Sequence, residues 1–189
     1  MKRSRDLNQQ ANDDIRKRQK VFQRGGKKIA IHFNARGIQS AVVRRIEHED
    51  THFVVGCVAW LSNKRILKAM SKKKGTCIIC TKDRLTKRRK NQNAYSSLKP
   101  CFQGGVIRVV GEGRGRYKSL MHHKFLVGLD AERQPLWVVN GSFNMTENAL
   151  NNIENCMELQ DPDIAESFFQ EFKRIHRVST PLKIVKHRK

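Results

Sequence analysis

Apolar and polar residues alternate along this chain in two patterns, one typical of β-strands and the other of α-helices. Strand patterns, some alternating and some continuously apolar, occupy residues 28–33, 53–61, 76–81, 106–110, 120–129, 136–139 and 156–159. Apolar residues recur at helical spacing in residues 38–49, 66–74 and 164–175, with Asn63 and Asp161 placed to cap the last two. Residues 86–98 are predicted to form a helix or a loop, and residues 146–152 are predicted to form a short helix. Strands that alternate with helices predict an α/β fold in which helices flank a mixed sheet.

Composition divides the chain into one region suited to folding and two charged ends. A length of 189 residues is typical of one domain. Residues 1–26 are polar and charged and end in two glycines, which predicts a flexible basic arm. Residues 179–189 form a basic tail. We therefore expect one folded domain over residues 27–178.

The formal net charge of +22 exceeds what solubility requires and predicts a polyanionic partner. Lysines and arginines outnumber the acids ten to three in residues 1–28, nine to one in residues 72–90 and seven to none in residues 173–189. Residues 91–172 are slightly acidic by contrast, with seven bases and ten acids. We expect nucleic acid, either DNA or RNA, as the partner, with an anionic membrane surface as the alternative.

The cysteines and the apolar runs predict a cellular location. Five cysteines, an odd number in mostly apolar contexts, predict buried thiols in a reducing compartment. Cys77 and Cys80 have the spacing of a zinc knuckle, but no second pair accompanies them, so we expect no metal site. No apolar run reaches the ~18 residues of a membrane helix, and no secretion signal is recognisable. We expect an intracellular, cytoplasmic protein without stable membrane insertion, or a nuclear one if the host is eukaryotic, because residues 2–18 fit an import signal as well as an electrostatic arm.

Residues suited to phosphate chemistry gather between positions 122 and 155. His122 and Lys124, two positions apart in an apolar run, are predicted to project from one face of a strand. A Gly-Ser-x-Asn turn then supplies Ser142 and Asn144, and Glu154 follows the predicted short helix. Imidazole, ammonium, hydroxyl and amide groups together suit the attack on a phosphate ester. The pattern therefore predicts phosphodiester chemistry with no metal and no other cofactor.

The order of these residues resembles the phospholipase D superfamily and its HKD motif, with one motif per chain. The resemblance is greatest to the small single-motif members, the bacterial endonucleases and the mitochondrial cardiolipin hydrolase/RNA nuclease, and it covers roughly residues 28–176. It depends on the His-x-Lys pair followed by GSFNMT and NNIEN. One position departs from the family, because Leu129 stands where the motif has its aspartate, and Asp130 comes one residue later. Asp130 is thus either the displaced motif residue or a turn residue.

The resemblance implies a role for each candidate catalytic residue. His122 would attack phosphorus and form a phosphohistidine intermediate. A second histidine must protonate the leaving oxygen, and a homodimer would supply it as the partner's copy of the same residue. Lys124 and Asn144 would neutralise the phosphate oxygens. Ser142 would hydrogen-bond within the site, and Glu154 would orient and support an imidazole.

Other residues near the motif are predicted to have different roles. His123 alternates to the opposite strand face, so we expect it in packing or at the surface. Trp60 and Trp137 lie in apolar runs and are expected in the core. A glycine-rich loop near residue 113 suits approach to phosphate. Its candidate substrate-binding residues are Arg114, Arg116 and Lys118.

Three functions fit the sequence. The favoured one is a metal-independent endonuclease that cleaves DNA or RNA through a site shared by a homodimer. The alternatives are a phospholipase D that acts on an anionic lipid and a non-catalytic nucleic-acid-binding protein with the same fold. The positive charge favours nucleic acid over lipid.

Overall fold

The structure is a computed structural model that describes residues 19–84, 86–111 and 119–184. Its helices are α1 (Ala35–Glu47), α2 (Lys64–Ser71), α3 (Arg89–Tyr95) and α4 (Pro162–Val178), with a 3-10 helix at Asn148–Asn151. Its strands are β1 (Gln19–Arg24), β2 (Lys27–His32), β3 (Phe53–Val58), β4 (Gly75–Thr81), β5 (Ile107–Val110), β6 (Lys124–Leu129), β7 (Pro135–Gly141), β8 (Cys156–Gln160) and β9 (Thr180–Pro181). The predicted α/β fold is therefore confirmed.

The strands of the described residues form one mixed sheet in the order β1-β2-β8-β7-β6-β3-β4-β5-β9. β3, β4 and β5 run parallel to one another, whereas the other neighbouring strands are antiparallel. Parallel neighbours need a crossover, and α2 and α3 lie in the two connections that join β3, β4 and β5. The parallel strands consequently end at the same edge of the sheet.

Helices cover both faces of the sheet and make two apolar cores. Ile38 of α1, Ile66 of α2 and Tyr95, the last residue of α3, are fully buried in one core. Phe169 and Phe172 of α4 are buried in the other. Burying a side chain of this size stabilises the fold by about 1.5–3 kcal/mol. The result is a sheet packed between two helical layers.

Polar caps begin the helices that the sequence predicted. The Asn63 side chain accepts a hydrogen bond from the backbone N–H of Ile66 at the start of α2. Asp161 accepts from the N–H groups of Asp163 and Ile164, and Pro162 opens α4. Each cap satisfies backbone donors that the first turn of a helix leaves free and stabilises it by about 1 kcal/mol.

The sequence predicts a flexible arm over residues 1–26, but residues 19–24 form the first strand of the sheet. β1 pairs with β2 from Gln19↔His32 to Arg24↔Lys27. Gly25 and Gly26 form the two-residue connection, with φ of +56° and +76°. Positive φ at both positions is the geometry of a type I′ hairpin turn, which glycine adopts without strain. These glycines are therefore a hairpin turn, and only residues 1–18 of the predicted arm lie outside the described residues.

Candidate active site

The predicted catalytic residues lie around one edge of the sheet. β3, β4 and β7 end at this edge, whereas β6 and β8 begin there. The N–H of Ala59, just after β3, donates a 2.9 Å hydrogen bond to the carbonyl oxygen of His123, just before β6. The Thr81 hydroxyl at the end of β4 donates to the carbonyl oxygen of Met121. These bonds hold the residues before β6 against the ends of the two parallel strands.

His122 lies immediately before β6, whereas the sequence predicted a place within the strand. Its side chain is exposed, and its ring packs edge-on with the ring of Trp60 at a centroid distance of 5.7 Å. Partial desolvation lowers the pKa of His122, and the positive charges of Lys124 and His123 lower it further. The neutral imidazole is the nucleophilic form, so this environment favours nucleophilic attack near neutral pH.

Lys124 begins β6 and is buried, with 8% of its surface exposed. Its Nζ donates a 2.7 Å hydrogen bond to the carbonyl oxygen of His122. Burial lowers the pKa of Lys124, and the carboxylate of Glu154 acts in the opposite direction. An ammonium has three N–H donors. Within the described residues, the Lys124 ammonium makes one hydrogen bond. Its other N–H groups can therefore donate to an oxygen of a bound phosphate.

Ser142 and Glu154 face each other across the segments that follow β7 and precede β8. The Ser142 hydroxyl donates a hydrogen bond to Oε2 of Glu154 and accepts a 3.0 Å bond from the N–H of Asn155. Oε1 of Glu154 accepts a 3.2 Å bond from the side-chain amide of Asn152. Glu154 is thus held by Ser142 and Asn152. Within the described part of the chain, the hydrogen bonds to this carboxylate come from a hydroxyl and an amide.

Gly141 makes the approach of Ser142 to Glu154 geometrically feasible. A Cβ atom at position 141 would lie 2.2 Å from the carbonyl oxygen of Asn155 and 2.8 Å from the Cα of Cys156. Backbone atoms cannot yield in the way that a flexible side chain does, so a larger residue would push the two segments apart. The glycine of the Gly-Ser-x-Asn turn is therefore required by this close backbone contact.

Asn144 lies beside the residues that follow β3. The neighbouring Met145 carbonyl oxygen accepts hydrogen bonds from the N–H groups of Ser62 and Asn63 at 2.8 and 2.9 Å. Asn144 also lines a pocket of about 390 Å³ together with Trp60. Its side-chain Oδ1 is buried and, among the described residues, has no hydrogen-bond partner. The pocket thus opens next to the ring that contacts His122.

The neighbouring histidine and the displaced aspartate lie outside this cluster. His123 is exposed, and its Nε2 lies 3.3 Å from a carboxylate oxygen of Glu171, as expected for a surface residue. Asp130 follows β6 at the end away from Lys124, about 20 Å along a six-residue strand. Its carboxylate accepts hydrogen bonds from the N–H groups of Glu132 and Gln134. Asp130 is therefore a turn residue of the β6–β7 hairpin.

Trp60 corrects another expectation from the sequence. It was predicted in the core, as Trp137 was, and Trp137 is indeed buried. Trp60 instead comes after the end of β3, is half-buried, and donates a 2.6 Å hydrogen bond from Nε1 to Asp83. The signal in the sequence is its position near the end of an apolar run, where a strand can leave the core. The candidate substrate-binding residues Arg114, Arg116 and Lys118 lie outside the described residues.

The cysteines are buried and point to different faces of the sheet. Cys77 belongs to the core under α4, whereas Cys80 belongs to the core under the other helices. Residues three apart in a strand project to opposite faces, so this pair is not arranged to hold one ion. Burial raises the pKa of the Cys77 thiol to about 12.

None of the helices that the structure describes has the length and apolar character to span a membrane.

Comparison with known proteins agrees with the predicted fold and family. The family profile described as "Cardiolipin synthase, PLD-like domain" matches residues 43–176. The "Uncharacterized protein L381" of Acanthamoeba polyphaga mimivirus is 24% identical to this chain in an alignment that covers 67% of the chain and 59% of that protein. The chain therefore spans less than two thirds of the length of this relative.

Two solved structures of similar size share the fold. NucT from Helicobacter pylori is 14% identical, with a TM-score of 0.64, and the match covers 82% of this chain and 99% of that one. Nuc from Salmonella typhimurium, a phospholipase D family member, is 18% identical, with a TM-score of 0.61, and the match covers 82% of this chain and 98% of that one. At these identities the likeness shows the fold.

Proposed function

Since the chain belongs to the phospholipase D superfamily, we propose that it is a metal-independent endonuclease that cleaves nucleic-acid phosphodiesters with His122 as nucleophile. The observation that carries this proposal is the position of the His122 imidazole. It is exposed at the edge of the sheet where Lys124 donates to the His122 carbonyl oxygen, and the Ser142–Glu154 pair lies at the same edge, between β7 and β8. A nucleophile beside fixed cationic and hydrogen-bonding groups suits attack on an anionic ester.

The first step forms a bond between an imidazole nitrogen of His122 and phosphorus. The bond from phosphorus to the leaving oxygen breaks, and that oxygen takes a proton from a second histidine acting as general acid. In the second step the same histidine removes a proton from water, and the water oxygen attacks phosphorus. The N–P bond breaks and His122 is regenerated. Water is consumed, and no oxidant or reductant is required.

The second histidine is assigned to another copy of the chain. The neighbouring histidine, His123, is not placed for this role. Its ring contacts Glu171 and Phe125, whereas the Ser142–Glu154 pair lies elsewhere. A two-fold homodimer would bring a second His122 to the same phosphate. In that assembly Glu154 could support the imidazole of either copy, which is the role that the sequence predicted for it.

Lys124 and Asn144 are assigned to the phosphate oxygens. Charge on those oxygens must be balanced as phosphorus becomes five-coordinate, and fixed donors do this without reorganisation. The Lys124 ammonium is held against the His122 main chain, so its charge stays close to the attacking nitrogen. No step of this route uses a metal ion or another cofactor.

Nucleic acid is the proposed substrate because of the charge of the chain. The formal charge is +22, and a basic segment directly follows β4 at the edge of the sheet that bears His122. Contacts between such residues and phosphates give binding that is largely independent of base sequence and sensitive to salt. A phospholipase would share the chemistry and differ in substrate.

The proposal is tested by incubation with single- and double-stranded DNA and RNA in EDTA, and in parallel with vesicles containing cardiolipin. We expect oligonucleotide cleavage that persists in EDTA, weakens with salt and is lost in His122→Ala. His123→Ala is the matched control and is expected to keep its activity. Loss of cleavage on chelation, or head-group release from the vesicles without nucleic-acid cleavage, would reject the proposal.

A further inference from the structure

β4 divides the basic segment of residues 72–90 into two clusters at opposite ends of one strand. Lys72, before the strand, forms a 2.6 Å ion pair with Glu47, and Lys73 donates to the carbonyl oxygen of His48. The second cluster follows the strand at the edge that bears His122. Its exposed members are Lys82, Arg84, Lys87, Arg88, Arg89 and Lys90. The two clusters are about 20 Å apart along β4, so they cannot serve the same phosphate.

Asp83 fixes the second cluster beside Trp60. One carboxylate oxygen of Asp83 accepts from the indole Nε1 of Trp60 at 2.6 Å. The other accepts from the N–H of Thr86 at 2.9 Å, and the Thr86 hydroxyl in turn donates to the carbonyl oxygen of Thr81. The start of the basic cluster is thus bonded both to the end of β4 and to the ring that contacts His122.

The pocket beside Trp60 combines cations, amides and an aromatic ring. Its volume of about 390 Å³ lies within the range of small-ligand sites. The residues that line it include Trp60, Arg88, Lys90, Asn144, Asn148 and Asn152. Ser62 and Thr146 add hydroxyl groups to the wall, and Glu147 adds one carboxylate, whose Oε1 accepts a hydrogen bond from the backbone N–H of Lys64. Cations suit a phosphate, whereas the amides and the indole suit a base.

We propose that this pocket binds one unpaired nucleotide of the substrate strand, adjacent to the phosphate that His122 attacks. The proposal rests on the proposed function and adds a substrate preference, namely single-stranded over double-stranded nucleic acid. In a duplex each base is stacked and paired, and it can enter a concave pocket only after it leaves the stack. A single strand has no such barrier, because its bases are free to stack on an aromatic side chain.

The first test compares two double variants that remove the same charge from opposite ends of β4. Arg88→Ala with Lys90→Ala removes the cations of the pocket. Lys72→Ala with Lys74→Ala is the control, since Lys74 is exposed and directly precedes the strand. All four residues are described, and the Arg88 side chain makes no cap bond to α3. Each variant is measured with a labelled 20-mer of thymidylate and with the same strand in a duplex.

For the pocket variant, we expect kcat/KM on the single strand to fall about tenfold, mainly through KM, with a smaller fall on the duplex. The slope of log K against log salt concentration for single-strand binding should become less steep by about 1.4, because two phosphate contacts are lost. The control variant should keep the wild-type ratio of single-strand to duplex cleavage. Equal losses on both substrates, or equal losses in both variants, would overturn the proposal.

A second test detects binding without turnover and separates the two proposals. The chain has two tryptophans, and Trp137 is buried, so quenching of indole fluorescence by a thymidylate pentamer reports on Trp60. We expect quenching in the His122→Ala protein and its loss when Trp60→Phe is added. No quenching in the His122→Ala protein rejects the pocket even if the wild type cleaves. Cleavage by the His122→Ala protein rejects the proposed function instead.

Discussion

The Ser142 hydroxyl donates a hydrogen bond to the Glu154 carboxylate, and this contact joins the turn after β7 to the segment before β8. Asn152 donates to the other carboxylate oxygen at 3.2 Å. The carboxylate also raises the pKa of Lys124 against the effect of burial. One carboxylate therefore organises the turn and balances the cation of the proposed site.

Glu154→Gln should reduce activity without unfolding the protein. An amide keeps the shape of the side chain but removes the charge that favours protonated Lys124, so we expect kcat to fall by about 100-fold. The melting temperature of Glu154→Gln should stay within a few degrees of the wild-type value. Oligonucleotide cleavage and thermal unfolding measure the two effects. The control is Glu132→Gln, in the exposed β6–β7 turn, and wild-type activity of Glu154→Gln would contradict the assignment.

Lys124→Gln should move the pH dependence of the reaction. The pKa of His122 lies below its ordinary value of about 6.5, first because of partial desolvation and then because of the neighbouring charges. Attack needs neutral imidazole, so activity should fall as pH drops through that pKa. Without the Lys124 charge the pKa of His122 should rise, and the acid limb of kcat/KM should move to higher pH. NMR titration of His122 measures this shift directly, and Lys68→Gln, at an exposed position of α2, is the control.

Glu158→Gln should destabilise the protein and remove part of its acid sensitivity. Burial raises the pKa of this carboxyl, but hydrogen bonds from His32 and Arg45 and the charges of Arg45 and Arg44 outweigh burial and bring the pKa to about 2. A carboxyl whose pKa is lower in the folded state adds stability above the unfolded value, near 4.5, and that stability is lost as pH falls towards 2. Removing the charge leaves two arginines without their partner, at a cost of about 3 kcal/mol at pH 7.

Urea unfolding between pH 2 and pH 7 measures this effect on the free energy of unfolding. The wild type should lose stability more steeply than Glu158→Gln between about pH 4.5 and pH 2. Glu49→Gln replaces an exposed glutamate and should follow the wild type. Parallel pH curves for Glu158→Gln and the wild type would show that the buried carboxylate is not stabilising.

Asp130→Asn should leave catalysis almost unchanged, although the superfamily motif has an aspartate close to this position. An asparagine oxygen can accept the same hydrogen bonds from the N–H groups of Glu132 and Gln134. We expect activity within about twofold of the wild type, because Asp130 lies about 20 Å from Lys124 along β6. A loss of tenfold or more in kcat/KM would show that Asp130 acts in the site despite its distance from Lys124.

Local features of the sequence were enough to predict most of the fold. Asn63 and Asp161 cap helices where the sequence placed caps, and the apolar run before Thr81 is a buried strand. β1 was missed because Val21 and Phe22 stay exposed, so burial gives this strand no alternating pattern. It forms through pairing with β2 across Gly25 and Gly26. In the sequence these two glycines fit the end of a flexible arm as well as a hairpin turn.

The candidate residues could be named from the sequence, whereas their contacts could not. The spacing of His122 and Lys124 is local, but the place of His122 before β6 depends on the bond from Ala59 after β3. The contact of Trp60 with His122 joins residues that are distant in sequence. Trp60 was expected in the core because hydrophobicity does not show where a strand leaves the sheet.

The most direct test of the account is to look for the covalent intermediate on His122. The wild-type protein is mixed with a short oligonucleotide in EDTA and denatured at alkaline pH within the first turnover, and its peptides are analysed by mass spectrometry. The account predicts a nucleotide adduct on His122 and none on His123. Turnover in EDTA with His122 unmodified, or an adduct at another residue, would contradict it.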